Sequence, residues 1–414
     1  MRISPLLFHS ALLGTTLAVA ALAPASASNL SFADKRALAA TGKPASAMHG
    51  SAAIKPLAGS TYTVLHNFAG APNDGEDPTA EPTLDASGNI YGVTEYGGAN
   101  SGGALYEIAG GKESLLHSFG AGSDGAEPDG AVIFDASGNM YGTTDYGGTS
   151  GDGTIWEIPA GGSYSVLVSF ASNQGDLVRG RLVEDKKGNL YGTALFGAAN
   201  DYGSVFEYST KSGTLTILHS FDGTDGEFPE HGVVMDKKGN LYGVTAFGGS
   251  SDDGSVYEIS SSGTFTSLYS FTGGDDGSFL YGGLAIDKKG NLYGSTVDGG
   301  SGNQGTVFKI TSKGVLTTLY NFAGGSTDVG QPEGDMLLVG KKLYSAATSG
   351  GANGAGGAYE VTLKGKETVL ASYPATSGDT YSAGMTASGK TLYGTVESGG
   401  TAGYGVVFSL TNKK

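Results

Sequence analysis

Two sets of residues in this chain have the types and spacing that could support chemistry at one site. The first set lies just before a short apolar run in successive units of the sequence, and it comprises Glu81, Asp129, Arg179, Arg181, Glu230, His231, Tyr281, Glu333 and Tyr381. The second set follows a Tyr-Gly run, and its acidic members are Glu95, Asp145 and Glu397. Carboxylates, guanidinium groups and an imidazole around a concave opening would suit a small polar ligand or a peptide.

The acidic members of the second set also permit a metal-binding interpretation. Glu95, Asp145 and Glu397 could supply the oxygen ligands that Ca²⁺ prefers. A hydrolase or lactonase could use such an ion at this place, with Glu230 or His231 as the base. We expect no cofactor on the sequence alone, and Ca²⁺ is the one that these acidic residues would permit.

The residues in these sets differ from unit to unit, whereas the sequence around them repeats. A tyrosine, usually followed by glycine, recurs as Tyr91, Tyr141, Tyr191, Tyr242, Tyr293, Tyr344 and Tyr393. Successive tyrosines are 49 to 51 residues apart, and seven copies at one period indicate a repeat architecture. Residues that repeat serve the packing of units, so we expect a functional site where the units diverge.

Each unit predicts four antiparallel strands. In the unit of Tyr141 they cover residues 131–134, 139–144, 154–158 and 164–170, which are short apolar, β-branched or aromatic runs bounded by Gly, Asp or Ser. Four strands at a period near 50 are typical of a β-propeller blade. The last unit stops after its third strand, and a spare fourth strand at residues 62–68 precedes the first unit. We therefore predict an all-β fold, a seven-bladed β-propeller of four-stranded antiparallel blades, which strand 62–68 closes by completing the last blade.

This architecture places both divergent sets around one mouth of the central channel. The loop that enters the first strand and the loop between the second and third strands lie on the same face of a propeller. Blades seven, one and two are neighbours in a closed ring, so we expect an acidic arc of Glu397, Glu95, Asp145, Glu81 and Asp129. Blades three and four add the arginines, Glu230 and His231. A solvated acidic loop surface without a defined site is the alternative interpretation.

Residues that recur in every unit are interpreted as structural. The tyrosines are expected to pack between blades, and the glycine after each tyrosine lets a neighbouring side chain approach. Glutamates in the third strand, such as Glu107, are expected to pair across strands. His66, His117 and His219 share their place with Val168 and Ala371 in other units, so we interpret it as a packing position. A metal site is not expected, because the three histidines would stand far apart on outer strands.

Composition and the N-terminus limit the class of protein. The net charge is −16, and Lys and Arg number 24 against 40 acidic residues, which argues against nucleic-acid partners. No cysteine is present, so disulfides are excluded. Arg2, an apolar run over residues 6–23 and a small-residue motif predict a signal peptide at 1–27 with cleavage near Ala27. We expect a secreted, periplasmic or cell-surface protein with no membrane-spanning segment after signal removal. We expect its mature segments to be a disordered leader at 28–60, the propeller at 61–410 and a tail at 411–414.

The repeated motif resembles a known family. Units reading Asp-x-x-Gly-Asn-Leu-Tyr-Gly-x-Thr-x-x-Gly-Gly, then Gly-x-Val-Phe-Glu-Ile and Leu-His-Ser-Phe, are similar to the GloVer tandem repeats of exported bacterial proteins. The resemblance covers about residues 61–410 and implies a propeller at an exported or surface location, but no particular activity. The glycines after the second strand are also similar to those of kelch propellers, although Trp156 is the only tryptophan.

Three functional interpretations follow from the sequence. Gly-x-Ser-x-Gly, His-Glu-x-x-His and a phosphate-binding glycine loop are all missing. This favours a non-enzymatic binding module whose loop face binds a protein, peptide or glycan. A metal-dependent hydrolase or lactonase at the channel mouth is the second interpretation. A structural component of the cell envelope or matrix is the third.

Overall fold

The computed structural model describes residues 55–56, 60–120, 123–373 and 384–412. Over these ranges the chain forms strands, turns and loops, and seven antiparallel sheets follow one another as the blades of a ring. Inner strands of neighbouring blades contact each other from the fourth blade round to the first. The prediction of an all-β, seven-bladed propeller is therefore confirmed.

The strand bounds are given from the axis outwards. Blades one to three comprise Thr83–Leu84, Ile90–Thr94, Ala104–Ala109 and Lys112–Ser118; Ile133–Phe134, Met140–Thr144, Thr154–Ile158 and Ser165–Ser169; and Val183–Glu184, Asn189–Ala194, Ser204–Ser209 and Thr214–Ser220. Blades four and five comprise Val234–Met235, Leu241–Thr245, Ser255–Ile259 and Phe265–Ser270; and Ala285–Ile286, Leu292–Thr296, Thr306–Ile310 and Leu316–Asn321. Blades six and seven comprise Leu337–Val339, Lys342–Gly350, Gly357–Thr362 and Glu367–Ser372; and Met385–Ser388, Thr391–Val396, Val406–Asn412 and Ser60–Asn67. Among shorter strands, Gly75–Glu76 pairs with Tyr96–Gly97, and Gly125–Ala126 pairs with Tyr146–Gly147. Lys55–Pro56 and Val329–Pro332 pair with strands of blade six.

The repeated tyrosine and glycine hold each blade together and seat it against the next one. Tyr141 lies opposite Glu157 in the neighbouring strand, and its hydroxyl donates to Asp135 in the hairpin turn at 3.5 Å. Its ring belongs to an apolar cluster that blades two and three share. A Cβ atom on Gly142 would lie 2.3 Å from the Trp156 ring, so only glycine leaves room for this aromatic side chain. The structural interpretation of both residues is confirmed.

The N-terminal strand closes the ring. Ser60–Asn67 pairs with Val406–Asn412, and Tyr62 lies opposite Leu410. This pairing satisfies the edge of the last blade, as the sequence predicted. The strand begins two residues earlier than expected, and the last strand includes Thr411 and Asn412, which were expected to form a tail.

Two further differences from the sequence analysis concern strand ends. Lys55–Pro56, in the stretch expected to be a disordered leader, pairs with Ala371 and Ser372 on the edge of blade six. Residues 131–132 were expected in a strand, but the inner strand of blade two begins at Ile133. The chain before it packs closely against the backbone of blade three. A Cβ atom on Gly130 would lie only 2.3 Å from the carbonyl oxygen of Gly180.

Some of the expectations fall outside the described residues. They are the signal peptide at 1–27, the leader up to residue 54, Tyr381, and residues 413–414. Within the part of the chain that the structure describes, no helix has the length and apolar character needed to cross a membrane.

Candidate functional site: the channel mouth

Backbone hydrogen bonds join the two loops that carry the divergent residues, on one face of the ring that we call the loop face. The residue after the second strand donates its N–H to a carbonyl in the loop before the inner strand. The pairs are Glu95 to Asp77 at 2.9 Å, Asp145 to Glu127 at 3.0 Å, Leu195 to Leu177 at 2.9 Å, Ala246 to Phe228 at 3.0 Å and Val297 to Phe279 at 2.9 Å. Each accepting residue has a positive φ, from 54° to 59°. Because this conformation is unfavourable for residues other than glycine, its recurrence shows that the loops hold one fixed path towards the axis.

Arg179 of blade three contacts carboxylates from both neighbouring blades. Its Nε lies 2.6 Å from Oδ2 of Asp145 and 3.4 Å from Oδ2 of Asp129, both in the unit of blade two. Its Nη1 lies 3.6 Å from Oε2 of Glu230 in blade four. Only the first distance is that of a close charge-assisted hydrogen bond. One guanidinium is therefore shared by three carboxylates, and we call these four residues the Arg179 cluster.

The carboxylates of this cluster are short of donors. Asp145 and Glu230 are only 2% and 6% exposed. Among the described residues, neither Oδ1 of Asp145 nor Oε1 of Glu230 has a hydrogen-bond partner, and the buried hydroxyl of Tyr281 also lacks one. Burial raises the pKa of Asp145 well above its usual range, although Arg179 opposes the shift, and it raises the pKa of Glu230 to about 7. The negative charge at this place is thus incompletely compensated.

Two further ion pairs join blades that are not neighbours. Nη1 of Arg181, in blade three, lies 3.5 Å from Oε1 of Glu81 in blade one. Nδ1 of His231, in blade four, lies 2.9 Å from Oδ1 of Asp335 in blade six. The backbone N–H of Gly283 in blade five donates to the same Asp335 oxygen at 2.6 Å. Because each pair skips one blade, both pairs reach across the channel.

These pairs differ in their protonation. Burial opposes the charged form of His231, but the Asp335 carboxylate outweighs this effect and raises the pKa of His231 to about 9. Burial alone would raise the pKa of Asp335. The positive charge and hydrogen bond of His231 have the larger effect, so the pKa of Asp335 is lowered. Burial, and then the charge of Asp335, raise the pKa of Glu81 to about 7. His231 is therefore an imidazolium at neutral pH, and Glu81 is only partly ionised.

The structure brings together seven of the residues that the sequence singled out, and adds one. Glu81, Asp129, Asp145, Arg179, Arg181, Glu230, His231 and Asp335 meet at the axis on the loop face, and we call these eight residues the channel mouth. Asp335 was missed, because Glu333 was taken as the divergent residue of its unit. Counting back from the pairing of Leu337 with Tyr344 places Asp335 level with Glu81 and Arg181, so the repeat register contained the signal.

The other candidates lie around this group. Glu95 is close enough to Asp145 to contribute to its raised pKa. Glu333 accepts a hydrogen bond from Thr348 at 3.3 Å, and Glu397 is 8% exposed in blade seven. The ring of Tyr281 lies on the apolar side of the loop face. These residues flank the channel mouth.

The apolar side of the loop face is formed by blades three, four and five. Its buried members are Leu177, Leu195, Phe196, Phe228, Ala246 and Phe247, and Tyr146, Tyr202, Phe279 and Tyr281 pack against them. Equivalent places in blades one and two hold Asp77, Glu127, Glu95 and Asp145. The loop face is therefore polar on one side of the axis and apolar on the other.

A metal-like group occurs elsewhere, on the outer strands. Among the described residues, only His66, Asp74 and Glu113 place three ligand atoms within 4.8 Å of one another; Glu95, Asp145 and Glu397 do not form such a group. Asp74 already accepts the backbone N–H groups of Ala69 at 2.8 Å and Gly75 at 2.7 Å, and contacts His66 at 3.1 Å. Its oxygens are thus used by the protein itself.

The same arrangement recurs along the ring with other residues in place of histidine. The hydroxyl of Tyr269 donates to Asp276 at 3.0 Å, and that of Tyr320 donates to Asp328 at 2.9 Å. A phenol and an imidazole thus make the same hydrogen bond to this aspartate. In both cases the bond joins the outer strand to the following loop. The histidines therefore bond an aspartate as well as packing, and their interpretation as structural stays a prediction.

Comparisons with known proteins agree with the fold. The sequence matches the Gloeobacter/Verrucomicrobia repeat over residues 43–238 and 230–414. No curated protein matches the chain. Among solved structures, an extracellular domain described as part of a one-component system of B. thetaiotaomicron has a TM-score of 0.51 and 12% identity, over 88% of this chain and 42% of that chain.

Two other solved propellers are similar at lower scores. A structure described as a gluconolactonase of Xanthomonas campestris has a TM-score of 0.44 and 13% identity, over 89% of this chain and 98% of that chain. TolB of Acinetobacter baumannii has a TM-score of 0.43 and 15% identity, over 71% of this chain and 66% of that chain. At these values the similarity says nothing about activity.

Proposed function

The chain belongs to the Gloeobacter/Verrucomicrobia repeat family, and we propose that it is an exported, non-enzymatic binding protein whose ligand site is the channel mouth. Membership confirms the resemblance to the GloVer repeats. The proposal concerns a small polar ligand, a peptide or a glycan bound on the loop face. The sequence pattern over residues 1–27, which predicts a signal peptide, supports export.

One observation carries the proposal: charged side chains from five blades converge on the axis at the loop face. Repeated polar residues elsewhere bond within their own blade or to the adjoining loop, as Tyr141 and Asp74 do. The side chains of the channel mouth instead differ from blade to blade and contact one another across blades. Packing does not require the charged side chains of Glu81, Arg181 and Asp335, because blades four and five carry Gly232 and Gly283 at the same place. Convergent polar groups of this kind suit ligand binding.

The protonation of His231 argues against its use as the base of a hydrolase. A general base must be unprotonated near the working pH. His231, with a pKa of about 9, is positively charged at neutral pH. A hydrolase would then depend on Glu230, whose carboxylate contacts Arg179 at 3.6 Å.

Titration calorimetry of the mature protein against peptide and glycan panels tests the proposal. The comparison uses wild type, the double variant Asp145→Asn/Glu230→Gln, and Asp275→Asn as a control that removes an exposed carboxylate from the same face. We expect at least one ligand class to bind wild type and control, and to lose binding in the double variant.

Other results would replace the proposal by a named alternative. Silent titrations throughout would favour a structural envelope or matrix component. Binding that survives in the double variant would place the site elsewhere. Turnover of lactones or esters in the presence of Ca²⁺ by wild type, and not by the double variant, would establish a hydrolase.

A further inference from the structure

We propose that the ligand of the channel mouth carries a positively charged amine, whose ammonium group binds beside Arg179 between Asp129 and Glu230. This inference rests on the proposed function, because it names the ligand chemistry of the same site. The substituent of the amine would lie towards Tyr281, on the apolar side of the loop face.

The balance of charge is the first argument. The channel mouth has five carboxylates, against two arginines and one histidine. Among the described residues, Arg181 and His231 each lie within 4.0 Å of one carboxylate, whereas Arg179 lies within 4.0 Å of three. Two negative charges therefore remain uncompensated when all groups are ionised, and they lie in the Arg179 cluster.

The hydrogen bonding is the second argument. Arg179 holds Asp129 and Glu230 at 3.4 and 3.6 Å, beyond the range of about 2.7–2.9 Å for a close charge-assisted bond. Oδ1 of Asp145 and Oε1 of Glu230 are buried and have no partner among the described residues. An ammonium group supplies three N–H donors and a positive charge. A neutral or anionic ligand lacks one or both of these.

Access and shape are the third argument. The side chain of Asp129 is 25% exposed and that of Glu230 is 6% exposed, so a ligand would reach Asp129 from solvent and Glu230 behind it. Tyr281 stands between this cluster and the apolar side: its hydroxyl is buried without a partner, and its ring lies 6.3 Å from that of Phe247. A ligand with an aromatic or alkyl group attached to the amine would use both surfaces.

A divalent metal fits the cluster less well. Among the residues that the structure describes, no three ligand atoms at the channel mouth lie within 4.8 Å of one another. Arg179 already places one positive charge between the carboxylates, and a second compact charge of +2 would be repelled by it. A singly charged, directional ammonium group is the better match.

Proton release supports the same ligand class. Glu230 faces Arg179, His231, Asp129 and Tyr281, and burial raises its pKa to about 7. At pH 7 this carboxyl is partly protonated, and a bound ammonium group would favour its ionised form. Amine binding should therefore release protons at pH 7.

Three matched probes test the proposal: 2-phenylethylamine, the neutral 2-phenylethanol and the anionic phenylacetate. Their binding is measured by ligand-observed NMR and by calorimetry at pH 7. The calorimetry uses two buffers of different ionisation enthalpy, so that proton release can be detected. We expect the amine to bind at least about tenfold more tightly than the alcohol, with proton release. Asp129→Asn and Glu230→Gln should each weaken amine binding about tenfold. Tyr281→Phe should weaken it less, and Asp275→Asn should not change it.

Several results would overturn the proposal. Equal binding of the alcohol or the anion would show that positive charge is not recognised. Amine binding that is unchanged by Asp129→Asn and by Tyr281→Phe, in variants with wild-type melting temperature, would place the amine elsewhere. Displacement of the amine by CaCl₂ at equimolar concentration would indicate a metal site. If no probe binds while peptides or glycans do, the amine inference fails and the proposed binding function stands.

Discussion

Histidine–aspartate pairs occur in two regions of this molecule, and the two regions use them differently. On the outer strands the pairs are His66 with Asp74 at 3.1 Å, His117 with Asp124 at 2.8 Å and His219 with Asp225 at 2.7 Å. At the axis His231 contacts Asp335 at 2.9 Å. The outer pairs recur at equivalent places and join an outer strand to the loop that follows it. The axial pair instead joins two blades that are not neighbours.

The comparison shows that the chemistry of a residue pair does not by itself identify a functional site. A tyrosine takes the place of histidine in two outer pairs without changing the arrangement. At the axis the described residues vary in charge and size, since the place of Asp335 holds Glu81 in blade one and Gly283 in blade five. What separates the two regions is whether the residue repeats, and to which blade its partner belongs.

Replacing Arg179 should have the largest effect. Arg179→Met leaves Asp129, Asp145 and Glu230 without their shared cation, and removing one member of a buried ion cluster destabilises a protein by about 3–5 kcal/mol. Urea unfolding at pH 8 measures the loss, which should shrink at pH 5 because Glu230, whose pKa burial raises to about 7, is then protonated. A loss of under about 1 kcal/mol at pH 8 would mean that the cluster is more hydrated than its burial indicates.

An outer pair should show a smaller effect, on stability alone. Asp124→Ala removes the acceptor of His117 and of the backbone N–H of Gly125, which should lower the free energy of unfolding by about 2 kcal/mol. Calorimetric titration of the same variant should show unchanged ligand binding. Lost binding with unchanged stability would assign the outer pairs a functional role.

The pH dependence of stability should reveal the axial pair. Because the pKa of His231 is raised to about 9 from an ordinary 6.5, its stabilisation is complete below pH 6.5 and is lost as the pH rises through 9. We expect wild type to lose about 1–3 kcal/mol over this range, and His231→Gln to lose less. Chemical unfolding of both proteins at closely spaced pH values checks this, with Asp275→Asn as the control; equal slopes would contradict the pairing.

The smallest effect should come from exchanging one outer partner for the other. His219→Tyr introduces the residue that blade four carries at the same place, Tyr269, so the change in stability should be under about 1 kcal/mol. His231→Tyr should be worse tolerated, since the axis offers no equivalent phenol. Thermal melts of the two variants give the comparison, and similar losses would remove the distinction between the regions.

The fold was predictable because repetition amplifies weak local signals. A single run such as residues 139–144 is only a short strand, but seven copies with one spare strand at the N-terminus specify a closed ring. The strand pairing of Tyr62 with Leu410 follows from that count. The sequence did not predict the first and last residues of some strands, because these bounds depend on packing such as that of Gly130 against Gly180.

The channel mouth was predictable in its location and less so in its contacts. The sequence predicted Asp129, Arg179 and Glu230 near the axis, because they lie in loops that face the channel in a propeller. Which carboxylate Arg179 contacts most closely, and that His231 reaches Asp335 rather than Glu230, depend on side-chain reach across the channel. Such distances are not encoded in spacing along the chain.

The most direct test of the account is the stability of Glu230→Gln at pH 8. If the carboxylate is there for a ligand and not for packing, its replacement by a neutral side chain of the same shape should leave the free energy of unfolding unchanged or increased. Burial raises the pKa of Glu230 to about 7, so at pH 8 the folded state bears an ionised group that it tolerates poorly. A loss of about 2 kcal/mol or more would show that the carboxylate supports the fold, and would contradict the assignment of the channel mouth as a binding site.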